Sequence, residues 1–105
     1  MEQYPIKNVI DNIAQAISAS NIEADDKEAY IERLSKIDAK LLETAYQTSK
    51  EKITSKEMKY FICFAADISV RDISALFKVE AASVHTVRYR IRKKFAKNDT
   101  FRVIL

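Results

Sequence analysis

Not one of the 105 residues is glycine, and the only proline, Pro5, stands near the start. Tight β-hairpins draw on Asn-Gly, Asp-Gly or Gly-Gly pairs for the positive φ of their turns, and this chain has none of them. A proline in the first turn opens a helix without harm, because the amide it lacks would have no intrahelical partner there. Sheet-rich and α/β architectures are thereby disfavoured, and an all-α fold is expected.

The length suits one domain with a modest core. With 48% apolar and 31% charged residues, the composition is that of a soluble globular chain rather than a disordered one. No apolar run approaches the roughly 18 residues of a membrane span, and the start lacks a signal-peptide pattern, so no membrane insertion is expected. A single cysteine excludes an internal disulfide and argues for a reducing, cytoplasmic setting. Cys63 lies within "YFICFAA" and reads as a small core hydrophobe rather than a reactive thiol.

Helix signals divide the chain. Residues 5 to 19 carry Ile6, Val9, Ile10, Ile13 and Ile17 on one stripe. After "SASNIEADD", a second helix is expected from Asp25, which forms a capping-box pattern with Glu28. Its stripe of Tyr30, Leu34, Ile37, Leu41 and Ala45 predicts one long helix, packed on the rest of the chain or serving as a dimer seam. Thr54 and Glu57 form a second capping box, opening a helix to about Ala66 that is apolar on more than one side. The N-terminal helices are its available cover. Ser69 and Asp72 then open a short helix bearing Ile73, Leu76 and Phe77, which ends near Lys78. Only a few residues separate it from the next segment, so the two form a helix-turn-helix candidate.

That last segment, "SVHTVRYRIRKKF", contains two periods. Val87 to Arg92 alternates apolar and basic residues as a half-buried strand does. Val84, Val87, Ile91 and Phe95 instead follow helical spacing over a longer span, so a helix is expected over about residues 81–97. At 100° per residue the other three fall within about 60° of Val84, and Ala82, His85, Thr86, Tyr89 and Lys93 lie opposite, flanked by Arg90 and Arg92. Arg88 falls back toward the core side, where an internal ion pair with an acid such as Asp72 or Glu57 is expected ahead of any DNA contact.

Charge is distributed unevenly. Residues 1–52 hold 7 Lys/Arg and 10 Asp/Glu, a net of −3, whereas residues 53–105 hold 11 and 5, a net of +6. Six basic residues and no acid occur between Ala81 and Asn98. An acidic partner is implied, and nucleic acid is the commonest. An α-helix fits the major groove, where polar side chains read base edges and cations hold phosphates. His85, Thr86 and Tyr89 are the expected base contacts. Arg90, Arg92, Lys93 and Lys97 are expected on the backbone, joined by the hydroxyls of Ser69 and Ser83.

From Ile53 to Phe95 the chain resembles a LuxR-type helix-turn-helix domain. The resemblance rests on the Thr-x-x-Glu opening, the apolar helix, Ser-x-x-Asp-Ile with a following Leu, Ser-Val before the last helix, and the "VRYRIRKKF" ending. That ending is particularly similar to C-terminal domains of larger bacterial regulators, many from Bacteroidetes. The resemblance implies a four-helix DNA-binding unit over residues 53–105, with residues 1–52 as a two-helix extension for packing or dimerisation. It also implies a homodimer on two-fold double-stranded DNA, with His85, Thr86 and Tyr89 toward bases and Arg92 and Lys93 toward the backbone. The sequence departs from the pattern at Asp67-Ile68, where glycine is common before the serine cap, and at Glu80, Ala81 and Ala82. Glu80 is a poor N-cap and lies where phosphates are expected, which lowers the expected affinity.

Two other readings stand beside this one. A sigma-factor region-four-like module would bind a promoter while docked on RNA polymerase, though the acidic extension does not match one. A helical interaction module would use the basic helix on an acidic protein or membrane surface, but the apolar stripe is already committed to a core. An enzyme is not expected, and no cofactor or metal is implied: there is one histidine, no metal-ligand spacing and no glycine loop to cradle phosphate.

Overall fold

Most of the apolar residues read from the sequence as stripes are buried, while Val9, Ile37, Leu76 and Phe77 are only partly so, and one stripe contains a break that its spacing conceals. The computed structural model describes residues 6–48 and 53–95, and these are all-helical. The elements are α1 (Ile6–Ser18), α2 (Ala24–Ser35), α3 (Ala39–Thr48), α4 (Ser55–Ala65), α5 (Val70–Phe77) and α6 (Ala81–Lys94). Pro5, expected to open the first helix, lies outside the described residues. No helix among them is long and apolar enough to cross a membrane.

α1 buries Ile6, Ile10, Ile13 and Ile17, spaced so that all four share one face. It packs against α2, α3 and α4, while α6 packs against α4 and α5. α4 therefore lies between the N-terminal helices and α6. Covered from both directions, it buries Met58, Tyr60, Phe61, Ile62 and Cys63. The core is one continuous cluster reaching from Ile6 to Phe95. Edge-to-face ring contacts tie it together, Phe61 to Phe95 at 5.4 Å and Tyr60 to Phe77 at 4.9 Å. Cys63 is a fully buried member of this cluster, and burial pushes its thiol up to about 12, so it is a packing group.

The single long helix expected from Asp25 onward is two helices. Asp38 divides it: its carboxylate accepts the Leu41 N–H at 3.0 Å, a side-chain cap on the first turn of α3. The preceding turn closes through the Ile37 N–H on the Leu34 carbonyl at 3.2 Å. The interruption resets the helical phase. Leu42 becomes the buried residue at 2% exposure, and Leu41, assigned to the stripe, is 51% exposed. Ala45, the last member of that stripe, has a side chain outside the described set. Asp25 is not the cap either. Glu23 holds that position without a side-chain hydrogen bond, and Asp25 and Asp26 lie inside the first turn, where their charge favours the helix N-terminus.

The caps of α4 and α5 form as their sequences specify. The Glu57 N–H donates to Thr54 Oγ1 and the Thr54 N–H to Glu57 Oε1, each at 3.0 Å. The Asp72 N–H donates to Ser69 Oγ at 3.1 Å. Both of these acids are buried and reach beyond their own helices. Glu57 Oε1 accepts from Lys94 Nζ at 2.6 Å, and Asp72 Oδ2 accepts from the Tyr30 hydroxyl at 2.5 Å. Arg33 of α2 adds hydrogen bonds to the Ala66 and Asp67 carbonyls. α2 thus braces the turn between α4 and α5.

Without glycine, two helix ends among the described residues place ordinary residues in the left-handed region. Asp67 and Lys78 each have φ of 55°. After α4, the Ile68 N–H closes on the Cys63 carbonyl and the Asp67 N–H on Phe64, the Schellman pattern that glycine usually serves. After α5, the Val79 N–H closes on the Ser74 carbonyl.

Candidate nucleic-acid interface

α6 is helical throughout Ala81–Lys94, so the helical period prevails over the six-residue alternation. Val84, Ile91 and Phe95 are 0% exposed and Val87 nearly so, which fixes the rotation of the helix. The opposite side faces solvent. His85, Thr86, Tyr89, Arg90, Arg92 and Lys93 are all exposed, and Tyr89 is 66% exposed, unusual for a ring of that size. Thr86 donates its hydroxyl to the Ala82 carbonyl at 2.9 Å, leaving the oxygen's lone pairs to accept from another group.

The N-terminal turn of α6 follows α5 after three residues, Lys78 to Glu80. Glu80 occupies the N-cap position with no side-chain hydrogen bond, in keeping with glutamate's poor capping geometry. Ser83 and Arg90 line a shallow groove with Ala82, Thr86, Val87 and Lys56. Lys56 comes from the first turn of α4 and was not among the expected contacts. Nothing local marks it, because its nearness to α6 arises only when α4 and α6 pack.

Not every expected residue joins this surface. Ser69 is exposed, but its oxygen caps α5 and it is absent from the groove. Lys97 lies outside the described residues.

Arg88 does not form the ion pair expected of it. Its guanidinium lies 5.4 Å from the Phe64 ring centroid, and its Nε is buried with no hydrogen-bond partner. The two acids proposed for it are otherwise engaged, Glu57 by Lys94 and Asp72 by Tyr30 and Arg71. Burial alone would raise the Glu57 carboxyl. The Lys94 ammonium and the Thr54 backbone outweigh burial and hold it below its ordinary value of 4.5. Burial, with the Asp72 carboxylate as acceptor, instead pushes the Tyr30 hydroxyl up, so it stays a donor.

The helix therefore sorts its five cations by direction. Arg88 and Lys94 are half-buried and serve the fold, while Arg90, Arg92 and Lys93 point outward. No acid occurs within α6, so nothing on the helix itself offsets the outward three. Such a surface attracts polyanions and presents a ring, an imidazole and a hydroxyl among the charges. No protein-family model, curated protein or solved structure matches this chain.

Proposed function

We propose that the chain is a transcriptional regulator that binds duplex DNA sequence-specifically, with α5 and α6 as a LuxR-like helix-turn-helix. α6 is the recognition helix, laid in the major groove. His85, Thr86 and Tyr89 contact base edges. Arg90, Arg92 and Lys93 hold phosphates, with Ser83 and Lys56 at the groove's edge. A homodimer on a two-fold site follows from the resemblance of residues 53–95.

The observation that carries this reading is the outward side of α6, where exposed hydrogen-bonding groups and an aromatic ring lie among cations on a helix whose own sequence holds no acid. Fourteen residues give a rod of about 21 Å, and the major groove is about 12 Å wide and admits such a helix. An interaction module would call for a broad exposed apolar side, but the apolar residues of α6 other than Tyr89 and the small alanines are buried.

The test is selection of bound duplexes from a random pool, followed by titration of the enriched sequence at several salt concentrations. Three phosphates neutralised per protomer, six per dimer, give a log–log slope of about −5.4, steeper if further cations engage. An unenriched pool, or a complex indifferent to salt, rejects the proposal.

A further inference from the structure

A second concave feature meets the α6 groove at Lys56 and is otherwise lined by other helices. α1, the start of α4 and the end of α5 enclose an open cleft of about 540 Å³. Its walls are Val9, Ile13, Leu76 and Phe77, apolar groups that pack against the core without filling the space between the helices. Lys56, Lys59 and Asn12 also line it, and among the described residues no acidic one does. The size falls within the range of small-molecule sites, and so does the combination of an apolar lining with a few convergent polar groups.

Local sequence explains the charge. In "TSKEMK" the two lysines sit three apart on one side of α4, so both meet the cleft. The intervening Glu57 is turned away, held by Thr54 and Lys94. Lys59 Nζ already lies 4.8 Å from the Phe77 ring centroid, which places the cation directly against the apolar wall. The end of α5 opposes an anion with about half a negative charge, and the start of α4 favours it by a similar amount. These two contributions cancel. The two ammonium groups then decide the sign.

We propose that this cleft binds a small amphiphilic organic anion, its hydrocarbon body against Ile13, Leu76 and Phe77 and its carboxylate at Lys56 and Lys59. Charge complementarity selects this occupant: an apolar groove alone would take any hydrophobic molecule, but one with two cations and no acid prefers an anion. Among the described residues the cleft shares Lys56 alone with the α6 groove, so its test uses substitutions elsewhere in the lining.

Octanoate, octan-1-ol and octylammonium have the same chain length and differ in headgroup, so they separate charge from hydrophobicity. Each is titrated into the uniformly ¹⁵N-labelled full chain and followed by amide shifts, below micelle-forming concentrations. Octanoate should shift the amides of Val9, Ala16 and Leu76 and bind roughly tenfold more tightly than octylammonium, the scale of one charge-assisted hydrogen bond. Lys59→Gln, at an exposed position, should bring the octanoate affinity down toward that of octanol. Ala16→Trp, whose ring enters the cleft from an exposed site on α1, should remove binding of all three. Equal affinity for octanoate and octylammonium overturns the proposal. So does a saturable octanoate site that maps elsewhere, one that both variants leave unchanged, or the absence of any saturable shift.

Discussion

The two sides of α6 are built from neighbouring residues under opposite demands. On the inner side Val84, Ile91 and Phe95 are completely buried against α4 and α5; one residue away, His85, Arg90 and Arg92 face water. The same contrast divides residues of one chemical type. Lys93 is exposed, while Lys94 reaches Glu57 in the capping box of α4. A cation's place on the helical turn, more than its identity, decides whether it holds the fold or faces water. Inner changes should therefore lower stability with recognition lost only as a consequence. Outer changes should lower recognition and leave stability alone.

The largest expected effect comes from the inner side. Ile91→Ala removes a fully buried branched side chain and should lower unfolding free energy by about 3 kcal/mol, measured by urea denaturation. A loss below about 1 kcal/mol would mean that the inner side is not a packed core, and the contrast would fail.

Lys94→Met tests whether a cation belongs to the inner side. It leaves the Glu57 carboxylate buried without its ammonium partner and should destabilise by about 2 kcal/mol at neutral pH, less than for a fully enclosed pair because Lys94 is partly exposed. The loss should depend on pH in a defined direction. Glu57 ionises more readily folded than unfolded, so its contribution is present above its ordinary value near 4.5 and disappears as pH falls through the lowered folded value. Wild type and variant should converge in acid. A difference that persists there would make packing of the lysine stem, not charge, the cause.

The smallest effect on stability belongs to the outer side. Tyr89→Ala should leave the melting curve unchanged within about 0.5 kcal/mol. If α6 reads a duplex, the same substitution should weaken binding to the selected sequence by about 1–3 kcal/mol and relax preference at one position. Equal weakening on every duplex would place the ring against the backbone.

How much of this was legible in the sequence depends on the distance over which each interaction acts. The caps at Thr54 and Ser69 could be read because donor and acceptor lie within four residues of one another. The inner stripe of α6 was legible for a similar reason, since its spacing is a property of one helix. The break at Asp38 was not, because apolar residues at Leu34, Ile37 and Leu41 continue a helical rhythm across it and only the Leu41 N–H reveals the cap. Arg88 was assigned to an acid because its direction was evident and its competitors were not. Lys94 lies 37 residues from Glu57, and Tyr30 lies 42 from Asp72, separations that no local pattern reports. The nearness of Lys56 to α6 is likewise set by packing between distant segments.

Asp67 and Lys78 stand at the two corners flanking α5, each in a conformation that opposes its own Cβ. An L-residue there gives up on the order of 1 kcal/mol in the folded chain. It also narrows the range of shapes the denatured chain explores, and that narrowing applies at every position of a sequence with no glycine. The folded state thus loses less disorder on forming than a glycine-bearing chain would, which offsets some of the discomfort at its corners.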